Sequence, residues 1–89
     1  MEKRILVVED EAAIRDIVVI NLERAGFSVA EAGNGEAALA AAREEAFDAV
    51  LLDITLPGID GFEVCRELRA QSDTIGIIFP PPGPRKTTR

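Results

Sequence analysis

Three carboxylates stand out for where they fall. Ile5-Leu6-Val7-Val8 is a short apolar run that ends in Glu9-Asp10-Glu11, and Ala49-Val50-Leu51-Leu52 runs straight into Asp53. Unbroken apolar runs of this length read as strands buried on both faces, as in parallel sheets. Each run delivers acid to a strand's carboxyl end, where open α/β sheets hold their ligands. If the two strands are neighbours, Glu9, Asp10 and Asp53 converge at one edge of the sheet. Converging anions repel one another, so a divalent cation is their natural counterpart. A small set of oxygen donors suits Mg²⁺, which keeps several waters and takes phosphate oxygens as co-ligands. With Mg²⁺ beside it, Asp53 is a nucleophile for phosphoryl transfer, giving an aspartyl phosphate. The plainer reading is that Asp10 caps a helix and Asp53 opens a turn. It serves for either acid alone, and less well for both at strand ends with Glu9 doubling one of them.

The elements that must position these acids follow in alternation. After the first strand, Ala13, Ile14, Ile17, Val18 and Leu22 recur at helical spacing, with Asp10 as the predicted cap and Gly26 as the left-handed residue past the end. Phe27 to Ala32 reads as a second strand, with one wetter side because it carries Glu31. Gly33-Asn34-Gly35 turns the chain into a second helix, capped by Asn34, whose small-residue face is Ala37, Ala38, Leu39, Ala41 and Ala42. The Asp53 strand comes third, and Pro57-Gly58 ends the loop behind it. Asp60-Gly61-Phe62-Glu63 has the pattern of a capping box, opening a third helix with Phe62, Cys65 and Leu68 on its apolar face. Ile75 to Phe79 is a fourth strand. Strictly alternating β and α elements predict right-handed βαβ units and a parallel sheet covered by helices.

Composition sets bounds on what this scaffold can do. With 89 residues, 47% of them hydrophobic, the chain makes one small domain with a small core. The net charge is -6, and all 16 acids fall before residue 80. Such an acidic body argues against nucleic-acid binding by this segment. The single Cys65 excludes an internal disulfide and fits a reducing compartment. The four-residue apolar run before Glu9 is too short for a signal peptide or membrane span, so a soluble, cytoplasmic chain is expected. The chain has no histidine, so it can neither donate phosphate from a phosphohistidine nor use imidazole as a base. The last ten residues change character: Pro80-Pro81-Pro82-Gly83-Pro84 suits neither helix nor central strand, and the basic Arg85-to-Arg89 end reads as a disordered tail.

Other motifs compete for the same residues. Gly33-Asn34-Gly35-Glu36-Ala37-Ala38 fits G-x-G-x-x-A before a helix, and Asp53 follows at the spacing of a dinucleotide-binding fingerprint. Against it, Glu31 interrupts the preceding strand, and there is no second half to complete a cofactor crevice. A phosphatase or phosphotransferase with an Asp nucleophile would need an acid or base near Asp53 and a substrate cap, for which the sequence offers no candidate. Cys65 is most simply a small apolar residue of the third helix.

Ile5-Leu6-Val7-Val8-Glu9-Asp10-Glu11, followed by Leu51-Leu52-Asp53-Ile54-Thr55-Leu56-Pro57-Gly58-Ile59-Asp60-Gly61-Phe62-Glu63-Val64, resembles the response-regulator receiver domain of two-component signalling. The pattern is closest to OmpR/PhoB-type transcription factors and covers about residues 2–79, so that residues 2–79 form a partial receiver domain and 80–89 a tail. The resemblance implies a flavodoxin-like fold, with a parallel sheet in the order 2-1-3-4-5 flanked by helices. It implies that Asp53 accepts a phosphoryl group from a histidine kinase. It also implies that Asp10, Asp53 and the backbone carbonyl of Thr55 bind Mg²⁺ directly, with Glu9 joining through water. A receiver of this kind is a phosphoacceptor and not an enzyme, beyond catalysing its own phosphorylation and dephosphorylation.

The departures from the family pattern are equally specific. Receivers carry Ser or Thr at the end of strand four and Lys at the end of strand five; here strand four ends in Phe79-Pro80, and no strand five follows. The predicted order is therefore an incomplete β1-α1-β2-α2-β3-α3-β4, truncated after strand four. Lys86 and Thr87 are the wrong neighbours for those roles and are not assigned them. The subfamily's dimerisation face and a DNA-binding domain are expected to be missing. The abrupt tail reads as a frameshift in a receiver gene, with a natural divergent tail or an engineered truncation as the alternatives: one permitted codon choice for Pro80 to Thr88, read in a shifted frame, gives Thr-Ala-Arg-Ala-Glu-Glu-Asp-Asp. A chain that retains acceptor and metal residues but lacks those that read out phosphorylation could also be a Mg²⁺-binding remnant that no longer signals.

Overall fold

A computed structural model of the chain describes residues 3–53, 61–72 and 74–79. Thr55, the Pro57-Gly58 turn, the Asp60 cap and the tail from Pro80 lie outside these residues. Seven elements alternate as predicted: β1 (Arg4–Val8), α1 (Ala12–Arg24), β2 (Ser28–Ala32), α2 (Gly35–Glu44), β3 (Ala49–Leu52), α3 (Gly61–Gln71) and β4 (Gly76–Ile78). The strands form one parallel sheet in the order β2-β1-β3-β4. Because strand side chains alternate between faces, the sheet feeds two cores. Leu6, Val8, Val50 and Leu52 face α2 and α3, where Ala38, Leu39, Val64 and Leu68 close over them. Ile5 and Val7 face α1 through Val19, with Val18 and Leu22 beside it. β1 is buried on both faces, whereas Ala49 and Leu51 of β3 are only half-buried.

The N-terminal ends of the strands are locked together by Arg4. Its guanidinium pairs with both oxygens of Glu45, at 2.5 and 3.2 Å, donates to Ser28 Oγ at 2.6 Å and lies over the Phe47 ring. Its backbone exchanges hydrogen bonds with Asp48: the Arg4 N–H meets Asp48 Oδ2 at 2.7 Å, and the Asp48 N–H meets the Arg4 carbonyl at 2.8 Å. One residue therefore fastens β1 to β2 and to the α2–β3 connection. The hydrogen bond from Arg4, helped by its charge and opposed by desolvation, holds the Glu45 carboxyl below its ordinary value of 4.5.

Helix ends follow the sequence, with one exception. Asn34 caps α2, accepting from the Ala37 N–H at 2.8 Å. Past α1, Gly26 takes φ +100°. Its N–H reaches the Glu23 carbonyl at 3.0 Å while that of Phe27 reaches Leu22 at 3.1 Å, the paired bonds of a Schellman stop. Phe27 thus belongs to the helix stop, and β2 begins one residue later than predicted. The exception is the start of α1. The cap position is Glu11 rather than Asp10, and it makes no side-chain capping bond. The chain ahead of it is already tied down: the Glu9 N–H donates to the Ala32 carbonyl, and the Glu11 N–H donates to Glu9 Oε2 at 3.0 Å.

Two helix faces differ from prediction. On α1 it is Val19 that is buried, while Ile17 is 60% exposed. On α3 the buried residues are Gly61, Val64 and Leu68; Cys65 is half-buried and Phe62 is 63% exposed, its ring 5.9 Å from that of Phe79. Among the described residues no helix is long and apolar enough to cross a membrane.

Candidate metal and phosphoacceptor site

The parallel register sets the level of each acid. Val8 of β1 pairs with Ala32 of β2 on one side and with Leu52 of β3 on the other. Glu9 and Asp53 are therefore the next residues along two adjacent strands. The hydrogen-bond ladder runs on to hold them: the Glu9 N–H donates to the Ala32 carbonyl at 3.1 Å and the Asp53 N–H to the Val8 carbonyl at 3.3 Å. The position is the point in the sheet where the chain, having gone from β1 to one side, returns to the other, and open α/β sheets bind ligands in the crevice beyond such a point.

Glu9 and Asp53 are buried, at 5% and 8% exposure, and Asp10 is exposed. One carboxylate oxygen from each lies within 4.8 Å of the others. The three acids that the sequence singled out are thus brought together; Thr55, the fourth predicted ligand, lies outside the described residues. Buried carboxylates are costly unless a cation or hydrogen bonds compensate them. Here Glu9 Oε2 accepts from the Glu11 N–H, which fixes the direction of that side chain. The donors are all oxygen, close enough to share one ion, and include one exposed acid through which it can enter. This set fits Mg²⁺, which needs few protein ligands and retains water.

Sequence reasoning passed over Arg15, one turn into α1. Its Nη1 donates to the Glu9 carbonyl at 2.6 Å and its Nε to Glu31 Oε1 at 3.1 Å, so it touches the backbone of a site residue. The only sequence signal is a cation four residues after Glu11 on the first turns of the helix. The rival glycine motif is accounted for without a nucleotide. Asn34 spends its side chain on capping α2, and the turn follows β2, at the edge of the sheet and not at the crevice between β1 and β3.

Comparison with known proteins agrees with this geometry. Residues 5–80 match the family model described as the response regulator receiver domain. Among curated proteins, the chain is 46% identical over 80 residues to the alkaline phosphatase synthesis transcriptional regulatory protein PhoP of Bacillus subtilis, covering 90% of this chain and 32% of that protein. It is 50% identical over 72 residues to the DNA-binding response regulator MtrA of Mycobacterium tuberculosis, covering 81% and 32%. The chain therefore spans about a third of the length of these relatives. Among solved structures, the Vibrio cholerae chemotaxis protein CheY4 superposes with a TM-score of 0.86 at 32% identity, over 97% of this chain and 75% of that one. The response regulator TrrA of Thermotoga maritima, in complex with Mg²⁺-BeF, superposes with a TM-score of 0.83 at 43% identity, over 86% and 67%.

Proposed function

This chain belongs to the response-regulator receiver family, with relatives of the OmpR/PhoB type, and from that premise we propose that it accepts a phosphoryl group on Asp53 with Mg²⁺ bound beside it. The observation that carries the proposal is the convergence of Glu9, Asp10 and Asp53 within 4.8 Å at the carboxyl ends of two adjacent strands. Asp10 and Asp53 would hold the ion directly, with Glu9 acting through water and the Thr55 carbonyl completing the set. When bound, Mg²⁺ supplies positive charge to the carboxylates and to the incoming phosphoryl oxygens.

The chain's own part is to present Asp53. Leu52, fully buried, anchors the end of β3, and the Asp53 N–H is tied to Val8, so the carboxylate is held at a fixed height above β1. A carboxylate oxygen of Asp53 attacks the phosphorus of the donor; the new P–O bond forms as the donor's P–N bond breaks, and imidazole leaves. This chain has no histidine, so the phosphohistidine is supplied by a partner, a histidine kinase, which places the chain in the cytoplasm with a reduced Cys65. The TrrA complex, which holds Mg²⁺-BeF on a similar fold, supports the pairing of a metal with this kind of site. The acidic body supports a segment that does not itself bind DNA.

A second reading, a receiver remnant that binds Mg²⁺ without passing on a signal, is favoured by the sequence Phe79-Pro80 at the end of strand four, where receivers place Ser or Thr. Incubation with Mg²⁺ and a small acyl phosphate, followed by intact-mass measurement, tests the main reading. One added phosphate is expected, lost in Asp53→Asn. Uptake of phosphate by Asp53→Asn would refute the assignment, and no uptake by the wild type would favour the remnant.

A further inference from the structure

We propose that Arg15 is a positioning residue for this site, holding the β1–α1 turn so that Glu9 and Asp10 leave β1 toward Asp53; the inference rests on the metal-binding reading above. Three elements meet at its guanidinium. Arg15 lies on α1, it grips the Glu9 carbonyl at 2.6 Å, and it is itself held by Glu31 of β2 at 3.1 Å. A guanidinium presents several N–H donors in a rigid planar fork, so two acceptors fix its plane as well as its position. The side chain is 20% exposed, and its Nη1 lies beside Gly33, the residue after β2.

The consequence falls on the carboxylates. Glu9 is buried, and its side chain must point so that Oε2 meets the Glu11 N–H. The peptide plane that carries the Glu9 carbonyl also sets the direction of Asp10, its next neighbour. Fixing that carbonyl from α1 and β2 therefore aims both acids before any ion arrives. Three carboxylates this close repel one another, and an unrestrained turn would let Asp10, the exposed member, swing away. Groups of this kind, which orient ligands without touching the ion, typically change metal affinity by about 10–100-fold when removed.

Two readouts test the proposal: the dissociation constant for Mg²⁺, and the hydrogen-exchange rate of the Glu11 amide, measured in chelator so that it reports the turn without the ion. Arg15→Ala is expected to weaken Mg²⁺ binding by about tenfold or more and to speed Glu11 exchange. Arg15→Lys, which keeps the charge and can reach one acceptor, should recover part of both. Glu31→Gln should shift both readouts in the same direction by less. Arg4→Ala is the control, since the Arg4 guanidinium makes three hydrogen bonds at the opposite end of the strands, one more than that of Arg15; it should lower the melting temperature and leave Mg²⁺ affinity unchanged. Wild-type affinity in Arg15→Ala, or equal weakening in Arg4→Ala, would overturn the proposal. If the wild type binds no Mg²⁺, the metal reading fails, and the Glu11 amide still decides the role of Arg15: unchanged exchange in Arg15→Ala overturns it, and faster exchange with recovery in Arg15→Lys upholds it.

Discussion

Replacing Asp53 by Asn removes one of the site's three carboxylate charges while keeping its shape, and should stabilise the metal-free protein. The magnitude comes from the geometry. At the 4.8 Å limit of the cluster, two unit charges repel by about 3.5 kcal/mol at an effective dielectric of 20 and by about 0.9 kcal/mol in water. Glu9 and Asp53 are both buried, so the larger figure applies to that pair; Asp10 is exposed, so the smaller applies to its repulsion of Asp53. Together they amount to about 4 kcal/mol. Weaker hydrogen bonds to the neutral amide and relaxation of the side chains reduce this to a net gain of about 1–3 kcal/mol. For a domain of this size, about 2 kcal/mol raises Tm by roughly 8–16 °C. The assay is thermal melting by circular dichroism, with a chelator and with Mg²⁺. The wild type should gain on adding Mg²⁺, by about 2.7 kcal/mol at one hundred times its dissociation constant, and Asp53→Asn should lose most of that response. If Asp53→Asn melts at or below the wild type in chelator, the acids are not held in mutual repulsion. If it keeps the full Mg²⁺ response, Asp53 is not a ligand.

Other consequences are more local. Gly26→Ala should cost about 1–2 kcal/mol, because a Cβ there meets nothing within 4 Å and only the left-handed backbone is penalised; Gly26→Asn should recover part of the loss in denaturant titrations. Glu45, held below its ordinary value of 4.5 by Arg4, contributes stability that is present above that value and is lost as pH falls through its lowered pKa. The Tm difference between wild type and Glu45→Gln, present at neutral pH, should therefore close in acid and not in alkali. Ile78 and Phe79 are 50% and 38% exposed on and beside β4, the edge strand among the described residues. Such an apolar edge recruits other chains, so sedimentation should show self-association that grows with concentration, where a monomer at all concentrations would refute this.

The parts of the site that were legible in the sequence are those fixed by strands. A run of four apolar residues ending in acid tells both the element and its polarity; that β1 and β3 are neighbours does not follow from βαβ alternation and came from the strand order the family resemblance implied, which the observed order β2-β1-β3-β4 matches. Helix phase was harder to read. Ile17-Val18-Val19-Ile20 is apolar in every direction, so the pattern could not say that Val19 faces the sheet and Ile17 does not. Phe62 looked like a core residue because aromatic side chains usually are, yet it lies one position off the Val64–Leu68 stripe and meets Phe79 at the surface. The cap of α1 falls at Glu11 and not at Asp10, whose carboxylate stands in the acid cluster with Glu9 and Asp53. Arg15 left only the faint signal of a cation on the first turns of α1, since its two acceptors come from β1 and β2, one of them a backbone carbonyl whose direction no side-chain pattern records.

The most direct test of the account is to trap the modified residue itself. An acyl phosphate is reduced by borohydride to the alcohol, which converts a phosphorylated aspartate into homoserine and leaves free carboxylates untouched. After incubation with Mg²⁺ and an acyl-phosphate donor, then borohydride, peptide mass spectrometry should find homoserine at position 53, and none when Mg²⁺ is removed by a chelator. Homoserine at another acid in place of Asp53, or at Asp53 to the same extent without Mg²⁺, would contradict it.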